Sequence, residues 1–172
     1  MKQLLFIVAI FFISNYSLNA SIIDSIQYRN DKVVIEDVIL VPNATASQLY
    51  GKAKVFFSTI STPKLVVESE DLENHQFVGK GKIVKTPDEG YGCIFLNFTL
   101  ILQVKDGKYR YIITDMMKEI TGLAPMLITA EKSAQTAKEK NNPAAIKDYY
   151  IDTRPLIELL KKQMKIDSGD DW

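Results

Sequence analysis

The chain has 172 residues, almost half of them apolar, with 21 basic side chains balancing 21 acidic ones. That balance offers no field to gather nucleic acid or an anionic membrane surface, and the length suits one domain with its own core. One histidine and one cysteine supply neither a metal ligand set nor a disulfide framework.

The N-terminus carries Lys2, an unbroken apolar run over residues 4–13 and a more polar stretch ending at Ala20. This is the layout of a secretory signal peptide, with cleavage expected after Ala20. A ten-residue apolar run reaches only roughly 15 Å, half of a ~30 Å hydrocarbon core, which argues against a stable transmembrane anchor. The expected location is therefore extracytoplasmic: periplasm, cell envelope or secreted.

Residues 21–31 are polar and unpatterned and are read as a lead-in. Residues 32–41, KVVIEDVILV, are rich in β-branched side chains and predict a strand, with a bulge at Glu36 and Asp37 as an option. Thr45 and Gln48 have the spacing of a capping box. The helix this opens places Leu49, Ala53, Phe56 and Ile60 on one face. Residues 65–68 predict a short strand, followed by an acidic turn with Glu70, Asp71 and Glu73. Residues 76–85 predict another strand, in which Gly79 and Gly81 mark a bulge or a close backbone contact.

Residues 93–115, CIFLNFTLILQVKDGKYRYIITD, read as a long hairpin around Asp106-Gly107, a pair suited to a type I′ turn. With those two residues as the loop, Leu100/Ile113, Leu102/Tyr111 and Val104/Tyr109 share one face. Thr99/Thr114, Ile101/Ile112 and Gln103/Arg110 share the other. One face is uniformly apolar and the other mixed, as in a sheet covered on one side. Residues 116–152 form an irregular, partly helical insertion with a weak surface helix around Ala130, Ala134 and Ala137. Pro155 suits the first position of a last helix with an Ile157, Leu160 and Met164 stripe. The acidic residues 167–172 are read as a flexible tail. The expectation is one α+β domain over residues 32–166, in the order strand, helix, strands, helix, with two helices on one face of an antiparallel sheet.

The segments NATASQLYGKAKVFF, FVGKGKI, FTLILQVKDGKYRYIITD and LLKKQMKIDSGDDW resemble an exported bacterial family, domain of unknown function 4468, with a TATA-binding-protein-like (TBP-like) fold. The resemblance covers residues 33–172 apart from 116–152. It implies that fold and no reaction, and a fold name does not carry DNA binding with it.

Chemistry is sparse. His75 sits in a polar turn, and Cys93 lies at a strand start with no nucleophile context. Gly79-Lys80-Gly81-Lys82 falls inside a strand, whereas a phosphate loop joins a strand to a helix N-terminus. The carboxylates around Glu70 lie in a solvated turn, without the burial that splits an acid from a base. No catalytic, cofactor or metal-binding residue is assigned. The remaining candidate is the sheet face turned away from the helices: Phe95, Asn97, Ile101, Gln103, Arg110 and Ile112. It is either an ordinary half-polar solvent face or an interaction surface, since Phe95, Ile101 and Ile112 have no core to enter. The leading function is a non-catalytic, exported interaction module for a protein or surface ligand of the cell envelope. The alternative is a carrier of a small apolar ligand held between sheet and helices.

Overall fold

The computed structural model describes residues 26–60, 63–85, 92–122, 125–140 and 144–165. The signal-like residues 1–20 and the acidic residues 167–172 lie outside the described residues. Strands β1 (Ile26–Arg29) and β2 (Lys32–Leu40) precede helix α1 (Ala46–Thr59). Strands β3 (Lys64–Asp71), β4 (Gln76–Lys85), β5 (Ile94–Lys105), β6 (Lys108–Ile120) and β7 (Met126–Thr129) follow, then helices α2 (Ala130–Glu139) and α3 (Ala144–Gln163). The strands form one antiparallel sheet in the order β1-β2-β6-β5-β4-β3, with β7 paired to the far end of β6.

The β5–β6 ladder has the register that the sequence dictates, from Lys105 opposite Lys108 to Thr99 opposite Thr114. Leu100, Leu102, Val104, Tyr109, Tyr111 and Ile113 are all buried in one cluster with Leu49, Phe56, Phe57, Leu156, Ile157 and Leu160 of the helices. The turn, however, is not type I′. Gly107 takes φ +73°, while Asp106 is not among the residues with positive φ. The turn docks on the β2–α1 connection instead. Asp106 Oδ1 accepts the Ala46 amide at 2.7 Å, Gly107 N–H donates to Ala44 O at 2.8 Å, and Gly107 O accepts Val41 N–H at 2.8 Å. These tertiary bonds set the turn's conformation and cap α1 from outside, beside its own Thr45–Gln48 capping box.

Four further expectations need correction. Residues 26–29 of the lead-in are a strand, closed onto β2 by Asn30 (φ +50°) and Asp31 (φ +61°), which makes the type I′ hairpin here. Strand β2 pairs with β6 without a bulge at Glu36 and Asp37. The segment after Asp115 is more regular than expected: β6 runs on to Ile120 and β7 follows, α2 is the helix expected around Ala130, Ala134 and Ala137, and α3 already begins at Ala144. The alternation breaks at Asp115 because the ladder holds two residues, Asp115 and Met116, opposite Phe98 alone, with Asp115 at φ +52°. Pro155 lies inside α3 rather than at its start. Around the turn that the proline disturbs, Thr153 Oγ1 donates to Tyr149 O at 2.9 Å.

Gly79 and Gly81 mark close contact, and the register shift lies opposite, between Val67 and Ser69 of β3. A Cβ on Gly79 would stand 2.7 Å from the Phe57 ring, and one on Gly81 2.1 Å from the Phe98 ring. Phe98, paired directly with Gly81, folds over the bare backbone of its neighbour. Gly81→Ala should therefore lower unfolding stability by about 1–3 kcal/mol through overpacking. Gly51→Ala, on an open face of α1, should raise it by about 0.5–1 kcal/mol through helix propensity. Urea unfolding of the two variants checks the pair.

Candidate interaction face

All three helices join the cluster on one side of the sheet, so among the described residues the opposite face is open. The pairing sets its side chains in rows. Val38, Arg110, Gln103 and Gln76 make the row nearest the Asp106-Gly107 turn, and Glu36, Ile112, Ile101 and Val78 the next. Thr114, Thr99 and Lys80 follow. Beyond the bulge come Met117, Asn97 and Lys82, then Glu119, Phe95 and Val84. All six face residues chosen from the sequence lie on this surface. Ile101, Ile112 and Val78 are half-buried; Thr99 and Thr114 are nearly shielded, their short side chains set between longer neighbours.

The charges on this face are largely answered within it. Glu36 takes Arg29 at 2.9 Å and Arg110 at 2.5 Å, and Gln103 Nε2 donates to Gln76 Oε1 at 2.7 Å. At the other end Glu119 takes Lys82 at 3.3 Å and Asn97 Nδ2 at 3.4 Å. Lys82 Nζ also stands 4.0 Å from the Phe95 ring centroid. The donation from Lys82, then that from Asn97, holds the Glu119 carboxyl below its ordinary value. The result is an apolar strip, Val78–Ile101–Ile112, between two self-satisfied polar clusters. Such a surface can bind by desolvation.

The other residues considered are dispersed. His75, at φ +48°, stands edge-on to Tyr50 with ring centroids 5.5 Å apart. Cys93 is a half-buried thiol whose backbone is tied to Thr121. The strand expected over residues 65–68 runs on through Glu70 and Asp71, which belong to β3 rather than a turn, and the carboxylates are separately engaged, Glu68 by Lys80 at 2.6 Å and Glu70 by Tyr50 and Lys54. Among the described residues no three His, Cys, Asp or Glu side chains gather into a metal-binding group.

The sequence reading missed one buried charge. The Asp152 side chain is 1% exposed, with Lys85 at 2.5 Å and Lys118 at 3.2 Å. Lys118 also faces the Tyr149 ring at 4.6 Å, and Tyr149 Oη donates to Ile128 O at 2.9 Å. Asp152 shares a helix face with Tyr149 and Leu156, three and four residues away. Starting the helix at Pro155 hid that phase.

The fold and the face can now be set beside known proteins. Residues 36–118 match a family described as "Domain of unknown function (DUF4468) with TBP-like fold". Over that stretch, just under half of its length, the chain is similar to this family. A DUF4468 family protein from Bacteroides ovatus superposes with a TM-score of 0.63 at 11% identity, over 84% of this chain and 93% of that one. A TBP-like protein from Parabacteroides distasonis gives 0.61 at 12% identity, over 80% and 96%. At such identities the likeness shows the fold alone, and that fold is the α+β arrangement expected from the sequence. No curated protein matches.

Two outcomes follow for this domain. Asp152→Asn leaves Lys118 facing Lys85 without a counter-charge. It should cost about 2–4 kcal/mol by urea unfolding, less than a wholly buried pair because Lys85 is 47% exposed. The second is the acid response. Glu119 and Glu70 both have folded-state values below the ordinary 4.5. Their contribution is present above that value and is lost as the pH falls through the folded-state value. Melting temperature should drop as pH falls below that region, and Glu119→Gln should flatten the drop.

Proposed function

We propose that this TBP-like domain is a non-catalytic, exported interaction module that holds a protein or surface ligand of the cell envelope on its open sheet face. The observation that carries the reading is the Val78–Ile101–Ile112 strip, apolar side chains on an uncovered face between charge clusters that satisfy one another. Apolar residues at the centre of a contact supply most of its energy, and a polar rim with its hydrogen bonds already made costs little to bring alongside. The Lys2, residues 4–13 and Ala20 layout supports export. No helix among the described residues is long and apolar enough to cross a membrane.

The carrier reading rests on a separate observation. Between the β1–β2 turn and helices α2 and α3 lies a cleft of about 680 Å³, walled by Tyr28, Ala134, Ala137 and Ile146 and edged by Glu131 and Lys138. The volume is in the range of small-ligand sites. Beneath the centre of the sheet, Phe56, Phe57, Phe77 and Phe98 fill the space, so a carried ligand belongs in this peripheral cleft and not in the core.

The test is crosslinking in the native envelope from a photoreactive residue at position 101, with position 52 on α1 as the comparison. Adducts should form at 101 and be lost in the Ile101→Ser, Ile112→Ser double variant. Each change should cost about 1 kcal/mol of stability or less, whereas Leu102→Asp, one residue away and fully buried, should unfold the domain. Adducts at position 52 alone would reject the face.

A further inference from the structure

Along the outer side of β5 and β6 the open face changes chemistry from row to row. At the hairpin end Lys105 and Lys108 stand opposite one another, both exposed, and among the described residues neither is paired with a carboxylate. With Gln103 and Arg110 they line a groove of about 200 Å³. Its charge is only partly answered: Glu36 is shared between Arg110 and Arg29, and Asp106 accepts the Ala46 amide. The next row is Ile101 with Ile112. Beyond it lies Thr99 with Thr114, whose hydroxyl is buried without a hydrogen-bond partner. Successive rows on one face of a ladder lie two residues apart, roughly 6.6–6.8 Å. An extended peptide repeats the side chains on one of its sides at the same interval. A strand-like segment laid along β5 and β6 therefore meets the basic, apolar and hydroxyl rows with its residues i, i+2 and i+4.

We propose that the groove and strip together read an acidic, extended segment of a partner protein. Its Asp or Glu at position i lies over Lys105, Lys108 and Arg110. A large apolar residue at i+2 lies over Ile101 and Ile112, and a small polar one at i+4 over the threonines. The inference deepens the open-face reading above and rests on it. Charge complementarity calls for the acid: the two lysines have no counter-charge, and Arg110, with Nη2 engaged by Glu36, keeps further guanidinium N–H groups for a second carboxylate. The row spacing calls for the apolar residue two positions along, where it covers the strip and supplies most of the contact energy. An anionic membrane surface would supply the charge and not the spacing.

The test is an NMR titration of the isotopically labelled chain with the peptide GEGFGTG, whose acid and ring are two residues apart. Its isomer GGEFGTG, in which they are adjacent and point to opposite sides, is the comparison. GEGFGTG should shift the amides of Ile101, Gln103, Arg110 and Ile112 and bind severalfold more tightly than the isomer. Its affinity should fall about tenfold in Lys105→Glu with Lys108→Glu. It should fall severalfold in Lys105→Gln with Lys108→Gln, which adds no carboxylate to the ladder, and stay unchanged in Lys132→Glu on α2. Equal binding of the two isomers, or shifts confined to other elements, would overturn the proposal. So would shifts of these residues by inorganic phosphate or phosphatidylglycerol vesicles with none from the peptide, since the groove would then be an anion or membrane site. Undiminished crosslinking from position 101 in the charge-reversed chain would reject the acidic segment and leave the open-face reading standing, whereas no crosslinking at 101 in the unaltered chain removes both.

Discussion

The pairing of β5 with β6 is the contact from which the rest of the domain hangs. Its inner rows, Leu100 with Ile113, Leu102 with Tyr111 and Val104 with Tyr109, are buried without exception. A slip of one residue would expose all six and bury Gln103 and Arg110 in their place, so the register is strongly held. The same hairpin anchors its neighbours at both ends. Its turn holds the start of α1 through Asp106 and Gly107, and Phe98 occupies the space that Gly81 of β4 leaves open.

The extra residue at Asp115 divides this ladder into two halves of opposite phase. Before it, odd-numbered residues of β6 face the helices; after it, Met116 and Lys118 do. The shift brings a lysine beneath α3, where Asp152 answers it together with Lys85. A buried charge pair of this kind is a poor source of net stability, but it penalises any packing that separates the partners. It therefore fixes how α3 lies over the far half of the sheet, where the β5–β6 apolar rows have ended.

The open face follows from the same alternation. Three helices on one side leave the other side without cover among the described residues, and charges there are satisfied across strands: Arg29 and Arg110 on Glu36, Lys82 and Asn97 on Glu119. Between them remains an apolar strip too narrow for a core and well suited to a contact. A TBP-like fold says nothing about what that contact is, because function resides in the side chains a face presents and not in the arrangement beneath it.

The sequence by itself determined the elements whose information is local. The β5–β6 register, the capping box at Thr45, the α1 stripe and the six face residues all follow from period-two or period-3.6 spacing. Gly79 and Gly81 announced a close approach, although not the rings that make it. Tertiary structure decided whatever depends on partners distant in the chain. The bulge at Asp115 ends a readable alternation, so the rest of β6 and β7 had no visible phase. Pro155 reads as a helix start because the packing that tolerates it inside α3 is not local. Strand β1 is four residues long and is a strand only because β2 lies beside it. The conformation of the Asp106-Gly107 turn was set by Ala44 and Ala46, about sixty residues away, and no preference of the pair itself could have told of them.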